Sequence, residues 1–113
     1  MKTRLTVVCF LLLLSGTAHA AEKTIDIRNY VFTPVAVTIH PGDSVTWINH
    51  DEVPHTIADK DKGYRSAALD TGDKFTHVFT KPGSYTYFCT LHPQMTGTVV
   101  VKYALDGDEW NVN

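Results

Sequence analysis

The chain has 113 residues, of which 43% are hydrophobic and 19% charged, and its formal net charge is −2 at pH 7. This length accommodates one globular domain with a hydrophobic core and is short for two. The basic residues are scattered and the overall balance is acidic, which argues against a nucleic-acid-binding protein.

The first twenty residues have the pattern of a cleavable secretory signal. Lys2 and Arg4 precede an apolar run over residues 5–14, and residues 18–20 are Ala-His-Ala. The apolar run is too short to span a bilayer, and no later stretch is continuously apolar. We therefore expect an exported, periplasmic protein without a membrane span.

Cleavage after Ala20 would leave residues 21–113, which we interpret as a single domain with a short acidic tail over about residues 104–113. Loss of Lys2 and Arg4 takes the formal charge from −2 to −4. We expect this domain to be a monomer that binds no nucleic acid.

Short runs rich in valine, isoleucine, threonine and aromatic residues alternate with turn residues, which predicts an all-β chain. Seven strands are expected near residues 24–29, 35–40, 44–49, 55–58, 74–79, 84–89 and 98–103. Seven strands in a chain of this length favour a two-sheet Greek-key β-sandwich. A single helical turn is expected over residues 66–69.

The aromatic residues of the predicted strands indicate which side faces the core. Tyr85 and Tyr87 share strand parity with Cys89, so the sulfur of Cys89 should point into the protein with the aromatic face. Trp47 lies between Val45 and Ile48 and is expected to fill the core between the sheets.

Removal of the signal also takes away Cys9 and leaves Cys89 as the one cysteine of an exported chain. Cys89 therefore cannot form an internal disulfide. An unpaired cysteine in this setting is a buried inert residue, a partner for another chain, or a metal ligand.

The residues that follow Cys89 favour a metal ligand. Cys89, His92 and Met95 lie at three-residue spacing directly after a predicted strand, and His55 begins an upstream strand. Two histidines, one cysteine and a weak methionine form the ligand set of a blue-copper electron-transfer centre. His50 is the reserve candidate for the upstream imidazole.

Two other chemistries fit these residues less well. A structural zinc site usually uses several cysteines or a compact cysteine–histidine set with four good ligands. A cysteine–histidine hydrolase requires an exposed thiol, an orienting residue for the base and an oxyanion site, none of which the sequence indicates. His40 and His77 are interpreted as surface or sheet-face residues.

At these residues the chain resembles the cupredoxins, most closely their amicyanin/plastocyanin-like branch. The resemblance covers residues 42–49, 53–55 and 83–97, and two residues separate successive ligands of the loop as in amicyanin. It implies a cupredoxin fold and one copper ion that cycles between Cu(I) and Cu(II). The implied ligands are His55, Cys89 and His92 in a trigonal set, with Met95 axial.

The resemblance further implies that a hydrogen bond between Asn49 and Thr90 braces the two ligand-bearing segments. It also implies that the His92 ring edge reaches the surface amid an apolar patch. The patch consists of Val53, Pro54, Leu91 and Pro93. A redox-partner protein would dock there transiently.

The expected function is one-electron transfer between redox partners, without an enzymatic activity. The alternative is copper binding or delivery for copper homeostasis or oxidase assembly, which methionine-rich or histidine-rich tracts would favour. Such tracts are absent from the sequence. A copper enzyme would require further histidine-rich sites and a second domain.

Overall fold

Short strands form most of the regular structure of the protein, and they assemble into two sheets. The structure is a computed structural model and describes residue 3 and residues 20–104. Its strands are β1 (Glu22–Arg28), β2 (Val31–Thr33), β3 (Ala36–Ile39), β4 (Ser44–Asn49), β5 (Ala58–Asp59), β6 (Lys74–Val78), β7 (Gly83–Phe88) and β8 (Thr96–Val101).

Each sheet contains four strands and combines parallel with antiparallel neighbours. One sheet has the order β2-β1-β4-β6 and the other the order β3-β8-β7-β5. The β1–β4 and β3–β8 pairs are parallel, and the other pairs are antiparallel. The two sheets enclose one core, which confirms the predicted β-sandwich.

The alternation of apolar and polar side chains places one face of each central strand in the core. Ile25 and Ile27 of β1 are fully buried, and the residues on either side of them are more exposed. Trp47 of β4 is fully buried and packs edge-on against Tyr87 of β7, with 5.2 Å between ring centroids. This contact joins the two sheets and confirms the predicted position of Trp47.

The parallel β1–β4 pair determines which loops meet at one end of the sandwich. Ile27 pairs with Asn49, so the β1–β2 turn and the segment that follows β4 leave their sheet at the same end. The antiparallel pair Phe88–Thr96 places the loop of residues 89–95 at the end of β7 and the beginning of β8. Residues from these three segments form the site described below.

Two predictions about secondary structure were wrong, and one strand was missed. Residues 55–57 form no strand, because His55 makes only an isolated bridge with Leu69, and β5 begins at Ala58. The helical turn expected over residues 66–69 is absent, since this segment runs extended beside residues 55–57. The short strand β2 was not predicted.

Both predicted terminal features fall almost wholly outside the described residues. Of the predicted signal segment, the structure describes only residues 3 and 20, and it describes the predicted tail only at residue 104. Within the described part of the chain, no helix has the length and apolarity needed to cross a membrane.

The close approach of β7 to β8 gives a test of the fold. Gly97 is buried and pairs with Tyr87, and a Cβ at position 97 would overlap the Tyr87 ring and hydroxyl. We expect Gly97→Ala to lower the free energy of unfolding by about 1–3 kcal/mol, because the buried ring must move. Urea denaturation of the metal-free protein measures this. The control Thr96→Ala, at an exposed neighbour, should change it by less than about 0.5 kcal/mol.

Candidate metal centre

The loop of residues 89–95 is closed by its own backbone hydrogen bonds. The amide of Cys89 donates to the Met95 carbonyl at 3.1 Å, and the amide of Met95 donates to the His92 carbonyl at 2.9 Å. The amide of His92 in turn donates to the Cys89 carbonyl at 3.3 Å. These bonds close the loop between β7 and β8.

The fully buried side chain of Asn49 holds the segment that leads from β4 to His55, called here the upstream segment. Its Nδ2 donates to the carbonyls of Val53 and Leu69 at 2.9 and 2.8 Å, and its Oδ1 accepts from the Asp51 amide at 2.9 Å. His55 and Leu69 exchange two backbone hydrogen bonds, of 3.1 and 2.7 Å. The amide and the carbonyl of His55 are therefore both paired with Leu69.

Three of the predicted ligands converge. The Sγ of Cys89 lies 3.8 Å from Nδ1 of His55 and 3.7 Å from Nδ1 of His92. One ligand atom from each of the three residues lies within 4.8 Å of the others. His55 and Cys89 are fully buried, His92 is half-buried, and Met95 is 4% exposed.

The other histidines lie elsewhere. His50, the reserve candidate, is exposed and its Nε2 is hydrogen-bonded to Oδ1 of Asp26 at 2.7 Å. His40 contacts the Lys102 carbonyl through Nδ1, and the His77 ring stacks on Tyr64. Among the described residues, His55, Cys89 and His92 form the one group of three or more histidine, cysteine or acidic side chains suited to a metal ion.

Asp51 orients the ring of His55. Its Oδ2 forms a hydrogen bond of 2.8 Å with Nε2 of His55, and Nδ1 of the same ring faces the Cys89 sulfur at 3.8 Å. Metal-binding histidines usually donate their second ring nitrogen to a carboxylate or carbonyl in this way. Burial alone would raise the pKa of Asp51, but hydrogen bonds from the Tyr30 amide, His55 and the Asn29 amide outweigh burial and hold this pKa below its ordinary value.

Thr56 connects the upstream segment to the cysteine loop. Its amide donates to Sγ of Cys89 at 3.3 Å, and its Oγ1 accepts from the Thr90 amide at 2.7 Å. The hydroxyls of Thr56 and Thr90 also lie 2.7 Å apart. The predicted brace between Asn49 and Thr90 was wrong in its partner: Thr56 binds Thr90, and Asn49 binds Asp51, Val53 and Leu69.

These contacts fit a copper ion of the type 1 class. The donor set is two imidazole nitrogens, one sulfur and, close by in sequence, a buried thioether. An amide N–H directed at the cysteine sulfur is among the features that tune such centres. The residues present therefore suit copper better than zinc, because a structural zinc site would take four good ligands.

Three residues at this site were not predicted from the sequence: Tyr30, Asp51 and Thr56. Asp51 precedes His55 by four residues, and the usual need of a ligating histidine for a carboxylate partner could have indicated it. Thr56 follows His55 directly, but its partner Thr90 is distant in sequence. Tyr30 could not be found, because the strand that follows it was not predicted.

Comparison with known proteins agrees with this fold. The family model "Cupredoxin-like domain" matches residues 4–101 of the chain. The chain is 33% identical over 90 residues to amicyanin-alpha of Methylorubrum extorquens, covering 75% of this chain and 76% of the relative. It is 38% identical over 106 residues to the chloroplastic plastocyanin of Tetradesmus obliquus, covering 82% and 73%.

Among solved structures, a novel purple cupredoxin from Nitrosopumilus maritimus superposes with a TM-score of 0.69. The two are 37% identical, and the match covers 71% of this chain and 99% of that one. The fold of this chain is thus shared with a solved cupredoxin. The chain belongs to the cupredoxin family and is an electron-transfer cupredoxin of the amicyanin/plastocyanin kind.

Proposed function

We propose that the chain is a periplasmic carrier of single electrons that transforms no substrate. His55, Cys89 and His92 would hold one copper ion, with Met95 as a fourth and weaker ligand. The observation that carries this proposal is the convergence of one atom from each of the first three residues to within 4.8 Å of the others. Copper bound there would supply the Cu(I)/Cu(II) couple.

Rapid electron transfer requires a site that rearranges little when its charge changes. Each converging donor is tethered by a second contact. Asp51 fixes the His55 ring, Thr56 donates to the Cys89 sulfur, and backbone hydrogen bonds on both sides fix His92 in its loop. These tethers support a preformed site that would hold both oxidation states with small adjustments.

The surface around His92 suits a transient partner. Leu91 is 50% exposed, Pro54 and Pro93 are exposed, and Val53 is half-buried. An apolar patch beside a half-buried ligand gives a partner a short path to the site without strong binding. We propose that a redox-partner protein docks on these four residues and that the chain itself is a monomer.

The buried donors support electron transfer over copper delivery. Delivery to another protein requires donor atoms that the receiving site can reach, whereas His55 and Cys89 are fully buried.

We also propose that residues 1–20 are removed during export and that residues 21–113 form the mature domain. N-terminal sequencing of the exported protein, with Ala21 as the expected first residue, tests the cleavage.

Colour is the most direct test of the proposed function. We expect the Cu(II) protein to be intensely blue, because charge transfer from the Cys89 sulfur to copper dominates the visible spectrum of such centres. Cys89→Ser should abolish the colour, whereas His50→Ala, at the exposed histidine, should keep it. Visible absorption of the copper-loaded proteins measures both. A colourless parent protein would contradict the proposed function.

Met95→Leu tests the axial ligand. The variant should remain blue, because the trigonal ligands are unchanged, and its reduction potential should rise, because the lost thioether donates electron density that favours Cu(II). Voltammetry of the parent and variant proteins measures the change. A lower potential in the variant would count against Met95 as the axial ligand.

Thr56→Val tests the connection between the two ligand-bearing segments. Valine has a similar shape but lacks the oxygen that accepts from the Thr90 amide. We expect the free energy of unfolding of the metal-free protein to fall by about 1–3 kcal/mol, because a partly buried amide loses its acceptor. Urea denaturation measures this, with the exposed Thr80→Val as control. Equal effects of the two substitutions would show that the hydrogen bond contributes little.

A further inference from the structure

The turn between β1 and β2 has an unusual residue at its second position. Arg28 pairs with Val31, so the turn has two residues, Asn29 and Tyr30, with φ angles of 53° and 63°. Two positive φ angles characterise the type I′ hairpin turn, in which the second position strongly favours glycine. Asparagine tolerates this conformation, but a bulky tyrosine is strained in it.

One carboxylate holds this turn against the candidate metal centre. Asp51 accepts from the Asn29 amide at 2.6 Å and from the Tyr30 amide at 2.9 Å. The same carboxylate accepts from Nε2 of His55 at 2.8 Å. The turn and the His55 ring are therefore fixed to a common point.

The Tyr30 ring contacts both candidate histidine ligands. Its centroid lies 5.4 Å from that of His55 and 4.8 Å from that of His92, with interplanar angles of 88° and 86°. The two imidazole centroids lie 5.0 Å apart. The three rings thus pack as an edge-to-face trio, an arrangement that aromatic quadrupoles favour and that resists rotation of any one ring.

A purely structural role does not account for tyrosine at this position. Glycine would satisfy the turn without strain, and a 46% exposed ring contributes little to the core. Strained backbone conformations persist where the surrounding structure enforces them and concentrate at functional sites. Here the strained residue is the one that contacts both histidines.

We propose that Tyr30 is a positioning residue that holds the His55 and His92 rings in the mutual orientation that the metal centre requires. The contact matters most for His92, which is half-buried on a surface loop. Without the Tyr30 ring, the His92 imidazole gains rotational freedom and leaves room for small external ligands. This inference rests on the proposed function in taking these two histidines as copper ligands.

The test removes the ring without straining the turn. Tyr30→Gly and Tyr30→Asn both tolerate a positive φ and lack the aromatic ring, so at least one of them should fold with a melting temperature at or above that of the parent. Tyr30→Phe retains the ring without the hydroxyl. Tyr103→Gly removes another exposed tyrosine, which follows the far end of β8, and serves as the matched control.

Two measurements separate positioning from folding. In the metal-free protein, NMR relaxation of the His92 ring should show increased motion in Tyr30→Gly and Tyr30→Asn. In the Cu(II) proteins, added azide should change the absorption and electron paramagnetic resonance spectra of these two variants and leave the parent, Tyr30→Phe and Tyr103→Gly unchanged.

The proposal is overturned if the ring-less variants match the parent in His92 motion and in their response to azide. It is also overturned if Tyr103→Gly or Tyr30→Phe produces the same changes as the ring-less variants. A colourless Cu(II) parent would instead count against the proposed function, and the motion of His92 in the metal-free protein would still test the positioning role.

Discussion

The site depends on one constraint: a buried sulfur must lie where two segments distant in sequence come together. Cys89 follows β7 in one sheet, and its partners His55 and Thr56 follow β4 of the other. A sulfur buried without polar neighbours would be an inert core atom. The amide of Thr56 and the hydroxyl pair of Thr56 and Thr90 give the two segments a fixed separation. The metal-binding geometry is therefore a property of the sandwich as a whole.

Asp51 extends this network to a third segment. One side chain accepts hydrogen bonds from a ligand ring and from two amides of the β1–β2 turn. Such a carboxylate is well satisfied, which explains why its charged form is favoured despite partial burial. Loss of this group would release the His55 ring and the turn together, so the effects of substitutions at these positions should not be additive.

The sequence predicted the sandwich and the copper loop because both are encoded locally. Alternating apolar residues define the strands, and Cys89, His92 and Met95 lie within seven consecutive residues. Residues 55–57 were mistaken for part of a strand because threonine and isoleucine are common in strands. His55 instead pairs with Leu69 through an isolated bridge, and β5 begins at Ala58. The contacts of Tyr30 could not be predicted, since they depend on the parallel β1–β4 pairing between strands distant in sequence.

The parallel pairing of β1 with β4 links the alignment of these two strands to the surroundings of the electron-transfer site. Ile25 pairs with Trp47 and Ile27 with Asn49, and both isoleucines face the core. A shift of β1 by one residue would turn both isoleucines outward and displace the following turn by about 3.3 Å along the strand. The Tyr30 ring would then miss the two imidazoles. The burial of Ile25 and Ile27 thus fixes the strand alignment that places the Tyr30 ring against the two histidines.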